Sequence, residues 1–194
     1  MKKRLIPGFL LSFFLILLFS CGQKPAEYPA DELEISVREI LELPVYEQVY
    51  RDIVYIGEEE KVLFFTTTDK EVLFSVDIRI QAGIKHAEQI SISLNAASES
   101  GQRTVMVNLP KSEIIFIDAD ESSIEQYFIK EKGEDISRLE YYDEINRKKE
   151  ELVQTAIESG LLEYADLNAE KLIGSFLKLA GFETVQFRRF ESEN

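Results

Sequence analysis

The chain has 194 residues, a formal net charge of −14, 22 Lys and Arg against 36 Asp and Glu, one cysteine and one histidine. That length suits one compact domain with a sizeable core, while the acidic balance opposes nucleic-acid phosphates and gives no help at an anionic bilayer surface. A single cysteine forms no intramolecular disulfide, and with a single histidine it excludes zinc sites of the usual composition.

The first segment is a targeting signal. Lys2, Lys3 and Arg4 form a basic start, Leu5 to Phe19 an apolar run containing Pro7 and Gly8, and Ser20 a small residue before Cys21; this is a secretory layout. The run is shorter than the roughly 20 apolar residues that span a bilayer. Leu18, Phe19, Ser20 and Cys21 resemble the lipobox of bacterial lipoproteins, although Phe19 stands where the family usually has Ala, Ser or Thr. The resemblance implies a diacylglyceryl group on the Cys21 thiol, cleavage before Cys21 and acylation of the new amino terminus. An uncleaved signal anchor, or an ordinary signal with an incidental cysteine, is the alternative. Residues 1–20 are thus expected to be removed, taking three positive charges and leaving the remainder more acidic, and 21–32 to form a tether. Pro25 and Pro29 and the lack of periodicity in that tether oppose regular structure. One domain is expected over 33–194.

Leu33, Val37, Ile40 and Leu41 stand at helical spacing, and Pro44 stops that helix. The middle of the chain is β-rich. Val45 to Ile56 reads as a strand with Val45, Val49, Ile53 and Tyr55 on one face, interrupted by Arg51. Lys61 to Thr68 reads as a second strand, broken by Asp69 and Lys70. In the third, Val72, Phe74, Val76, Ile78 and Ile80 alternate with Ser75, Asp77, Arg79 and Gln81, so one face is buried. Segments from Gln89 and Arg103 flank a polar loop at Asn95 to Gln102 as an antiparallel hairpin. Pro110 ends the latter and Ser112 opens another strand. Residues 122–131 fit either a helix, with Ser122 and Glu125 as capping box, or a strand, the pattern slightly favouring strand.

The last third is helical. Leu139, Tyr142, Ile145, Leu152, Val153, Ala156 and Ile157 form one stripe, and Asp143 with Arg147 and Glu144 with Lys148 are acid-before-base pairs. Gly160 ends this helix. A second runs from about Glu163 to Ala180 with Ala165, Ala169, Leu172, Ile173, Phe176, Leu177 and Ala180 as its stripe; Gly181 fits a left-handed cap and Phe182 the contact that goes with it. Thr184 to Phe187 alternates as a terminal strand. The fold class expected is α+β: a mostly antiparallel β-sheet in the middle of the chain, a C-terminal helix pair and a final strand returning to the sheet.

The blocks "DIVYIG", "VLFSVDIRIQAGI", "VNLPKSEI" and "AIESGLLEYADLNAEKLIGSFLKLAGFETVQF" resemble the bacterial family DUF4230, from about Glu32 to Phe187. The resemblance implies an extracytoplasmic, membrane-attached α+β domain and transfers no activity, because the family has no assigned catalytic residues.

Chemistry is harder to find. His86 reads as a lone turn histidine, with a catalytic base as the alternative. Asp118, Asp120 and Ser122 would match calcium-loop positions, but Ser123 stands where glycine and Ile129 where glutamate is needed; the cluster reads as a solvated turn, with a weak cation site as the alternative. Phe64, Phe65, Phe74, Tyr127 and Phe128 read as core. Glycines are scattered singly, so no phosphate loop is expected, nor any catalytic, metal or cofactor-binding residue; the one site residue is Cys21, for lipidation. The expected function is a non-enzymatic accessory or interaction domain at the bacterial cell envelope, held to the membrane by lipid at Cys21, extracytoplasmic, with an envelope protein as partner and no nucleic acid. The alternatives are a carrier or sensor holding an apolar ligand between sheet and helices, and a hydrolase using paired carboxylates.

Overall fold

The computed structural model describes residues 29–192, apart from 43, 64, 96–102 and 133–134. Cys21, the expected signal, most of the expected tether and, beyond Asn95, the expected polar loop lie outside the described residues. The elements are α1 (Ala30–Ile40), β1 (Tyr46–Val62), β2 (Phe65–Gly83), β3 (Ser91–Asn95), β4 (Thr104–Pro110), β5 (Glu113–Lys132), α2 (Arg138–Glu158), α3 (Leu161–Leu179) and β6 (Thr184–Phe190). They form two three-stranded sheets, β1-β2-β5 and β3-β4-β6. The long sheet is antiparallel, β3 pairs antiparallel with β4, and β6 returns parallel to β4 in the small sheet. The α+β architecture is therefore as the pattern predicts, and 122–131 is strand. Helix α1 begins at Ala30, inside the stretch expected as tether. No helix among the described residues is long and apolar enough to cross a membrane.

Each sheet has its own core, and α3 serves both. Val72, Phe74, Val76, Ile78, Ile80 and Ala82 on β2 are completely buried, packed with Ile145 and Ala156 of α2 and Leu161 and Ala165 of α3. Ala169, Ile173 and Leu177 of α3 pack instead with Val105, Val107 and Leu109 of β4 and Leu33 and Val37 of α1. The stripe repeats every four residues on a helix of 3.6 per turn, so it winds about 160° between Leu161 and Leu177; that drift carries one helix from the first core to the second. Leu172, expected on the stripe, is 45 % exposed, and Phe176 only packs at the core's edge. Ile173→Ala is expected to cost about 2–5 kcal/mol and Leu172→Ala less than about 1 kcal/mol in urea unfolding; equal losses would mean that the helix is rotated by one residue. The end of α3 is as foreseen: Gly181 has φ 89°, its N–H donates to the Lys178 carbonyl and that of buried Phe182 to the Leu177 carbonyl, the paired bonds of a Schellman ending.

The long hairpin departs from the sequence reading in two ways. First, β2 does not break at Asp69 and Lys70; β1 ends at Val62, Leu63 takes φ 59°, and β2 begins at Phe65. Lys70 is only 4 % exposed, and its ammonium lies 2.9 Å from Glu58 and 2.7 Å from Glu140, so a buried lysine is tolerated inside the strand because two carboxylates meet it. Second, the buried face of β1 is the other one. Register pairs Tyr46 with Ala82 and Val54 with Phe74, which turns Tyr46, Tyr50 and Val54 inward and leaves Val49, Ile53 and Tyr55 exposed.

Helix α2 starts on a capping box made by Ser137 and Glu140; Ser122 and Glu125, which fit that pattern in the sequence, sit in β5. Its buried side is led by Tyr141, whose ring centroid is 5.3 Å from that of Phe74, while Leu139 and Tyr142 are exposed. Arg147 pairs with Glu144 and Glu151, and Lys148 reaches Asp52 of β1 at 3.4 Å, in place of the two pairs expected. The Lys70 ammonium, then the Ser137 amide, hold the Glu140 carboxyl down at about 2 against an ordinary 4.5. A carboxyl depressed on folding adds stability above its unfolded pKa and loses it as pH falls through the folded value. Glu140 is about a third exposed, so water screens part of this. Glu140→Gln is expected to lower stability at neutral pH, with the deficit closing between about pH 4.5 and 2; a deficit constant across urea melts over that range would disprove the linkage.

Candidate partner-binding face

One face of the long sheet is packed by α2 and α3; the other carries an apolar patch. Antiparallel register places Tyr55, Leu73 and Phe128 in one row across the three strands and Ile53, Ser75 and Glu125 in the next. Ile53, Tyr55, Tyr127 and Phe128 are between 46 % and 57 % exposed. A methyl group built on Gly57 would collide with the Tyr55 hydroxyl and ring, so the Tyr55 ring lies along its own strand over the bare glycine and forms a ledge. Tyr127 leans across β2 from an irregularity between Leu73 and Phe74, and its hydroxyl is 3.0 Å from Ser75 Oγ.

Beside this patch is a polar group centred on Arg51. Its Nε donates to Ser75 Oγ at 3.3 Å and its Nη2 to the Ser123 carbonyl at 3.3 Å, with Asp77 and Glu125 at 3.7 and 3.6 Å. Asp77 Oδ1 is buried and has no hydrogen-bond partner. The acids here, Asp77, Asp118, Asp120 and Glu125, outnumber Arg51 and Arg79. The face therefore offers a flat apolar centre with an acidic margin, which suits an apolar surface edged with basic groups.

Residues 120–125 form a wide bulge in β5, because Asp77 pairs with Asp120 while Ser75 pairs with Glu125. In it, the Ser122 hydroxyl and amide both donate to Asp120 Oδ1, holding that carboxyl below its usual range, and Ser123 Oγ accepts from the Asp77 amide. Among the described residues no group of three or more His, Cys, Asp or Glu is arranged to hold a metal ion. His86 precedes the short turn at Ala87–Gln89 and meets Glu88 at 3.1 Å. Phe74 is core as expected, but Tyr127 and Phe128 are surface; Phe64 lies outside the described residues. Between the long sheet and the helices, Phe74, Tyr141, Leu161 and Ala165 pack together, and a cleft of about 290 Å³ lies at the β5–α2 edge, lined by Ile124, Tyr141, Tyr142 and Ile145. The surface patch escaped the sequence reading because a β-branched and aromatic strand looks alike on both faces until register is known.

A family model described as a protein of unknown function, DUF4230, matches residues 36–187. No curated protein and no solved structure matches the chain.

Proposed function

We propose, from the premise that this chain belongs to the DUF4230 family, that it is a non-catalytic interaction domain. It is held at the extracytoplasmic side of a bacterial membrane by lipid on Cys21, and it docks an envelope protein on the open face of its long sheet. The observation that carries this reading is the three-strand patch of Ile53, Tyr55, Tyr127 and Phe128 with its acidic margin. Large aromatic side chains left exposed together are costly in water and dominate interfaces once covered. The lipobox-like residues Leu18 to Cys21 support the anchor, and a protein that stays near the bilayer needs less affinity to find an envelope partner.

The test uses the full chain in its membrane, with a photo-crosslinking residue at Tyr55 or Phe128 and, as control, at Glu150 on the exposed side of α2. A defined protein adduct is expected from the two sheet positions and not from Glu150. Phe128→Asp added to the Tyr55 probe should abolish the adduct while the domain still unfolds in one cooperative urea transition. Adducts of equal strength from all three positions, or an adduct indifferent to Phe128→Asp, would refute the docking face.

A further inference from the structure

A second surface feature lies away from the long sheet's open face, where the β4–β5 turn, the first half of α3 and the residues after β6 enclose a cleft of about 680 Å³. Its floor is apolar at Leu162, and Glu113, Glu163, Asp166 and Glu191 surround it with carboxylates. The walls are held rigidly. Arg189 donates to the Pro110 carbonyl at 2.8 Å and to the Asp166 carbonyl at 2.6 Å, and its guanidinium pairs with Asp166 at 3.0 Å and Glu170 at 3.0 Å. The same Asp166 Oδ1 accepts the Ser112 amide at 2.8 Å.

Carboxylates alone would not make this a site, because a solvated acidic surface is common. The second observation is Ser112. The residue lines the cleft and is 3 % exposed, yet among the described residues its Oγ has no hydrogen-bond partner. A buried hydroxyl without a partner destabilises the fold, and a donor arriving in the cleft would remove that cost. The protein's own ammonium at the rim reports the local field: Lys111 is held above the usual lysine range by its bond to Glu191, with Asp166 and Glu163 adding.

We infer that this cleft binds an alkylammonium group, which donates to Ser112 Oγ, faces Glu163 and Asp166, and lays its methylenes on Leu162. Ammonium is favoured over a bare metal ion because the described acids are not grouped as metal ligands and because the apolar floor suits a carbon chain. Either a free polyamine or a lysine side chain of a peptide presents this chemistry.

The experiment is calorimetric titration of the full chain in detergent with spermidine, with a lysine tripeptide, and with both after acetylation of their amines. Saturable one-to-one binding of at least one amine probe is expected, and none of the acetylated forms. Glu163→Gln, at an exposed position that leaves the Arg189 clasp intact, should weaken binding by about tenfold, and Ser112→Ala, which keeps the amide bond to Asp166, by about threefold. Tighter binding of the tripeptide assigns the site to a protein lysine, and tighter spermidine binding assigns it to a small amine. The inference is overturned if neither probe saturates the folded chain, if both variants bind as the parent does so that only diffuse attraction to an acidic surface remains, or if calcium displaces the amine stoichiometrically.

Discussion

Phe74→Ala is expected to lower the unfolding free energy by about 3–5 kcal/mol. The ring is completely buried on the central strand of the long sheet, between the neighbouring strands and the Tyr141 ring of α2. Removing it takes away both the transfer energy of the ring and the contacts of the side chains that enclosed it, and the sheet backbone cannot collapse into the void. Against a typical total of about 5–15 kcal/mol, that loss leaves the long-sheet core marginal, so the denaturation midpoint should fall steeply. Phe74→Leu, which refills most of the volume, should recover more than half of the loss. Tyr127→Ala, on the open face of the same sheet, should cost far less. A Phe74→Ala protein as stable as Tyr127→Ala would mean that the two faces of the sheet have been assigned the wrong way round.

The second large effect is expected at Cys21. Cys21→Ser should move the chain completely from the detergent phase to the aqueous phase in phase partitioning, and abolish metabolic palmitate labelling. Each buried methylene of an acyl chain contributes about 0.8 kcal/mol, and durable anchoring takes two or more chains. Melting of the domain should be unchanged, because the single cysteine forms no intramolecular disulfide whose loss could destabilise the fold. A serine variant that stays in the membrane unlabelled would replace the lipid with an uncleaved signal as the anchor, and one that stays labelled would move the lipid to another residue.

The interaction-domain reading and the amine cleft make separable demands. Phe128→Asp should release the protein partner and leave amine binding alone; Glu163→Gln should do the reverse. If one change removed both, the partner itself would supply the ammonium group, and the two surfaces would belong to one interface.

What the sequence determined by itself was local. The alternation of Val72 to Ile80, the helix pair, the Gly181 ending and the return of the last strand were all legible, because each depends on the period of one element or on residues a few positions apart. The small-sheet core follows from the same stripe, with Leu172 misplaced by one position because an apolar residue next to Ile173 gives no sign of which one faces inward. Tertiary structure decided the rest, and chiefly one bulge. At the near end of the β1–β2 hairpin Lys61 pairs with Thr66, but the next pair is Glu60 with Thr68, and Thr67 falls between them. That single extra residue shifts the register by one, and since side chains alternate with a period of two, every residue of β1 beyond it changes face. Ile53 and Tyr55 thereby go to the surface and Val54 to the core. Lys70 likewise looked like a strand breaker because its partners, Glu58 and Glu140, come from another strand and a distant helix. The cleft was invisible for the same reason: Ser112, Asp166 and Arg189 meet only when the β4–β5 turn, α3 and β6 are packed together.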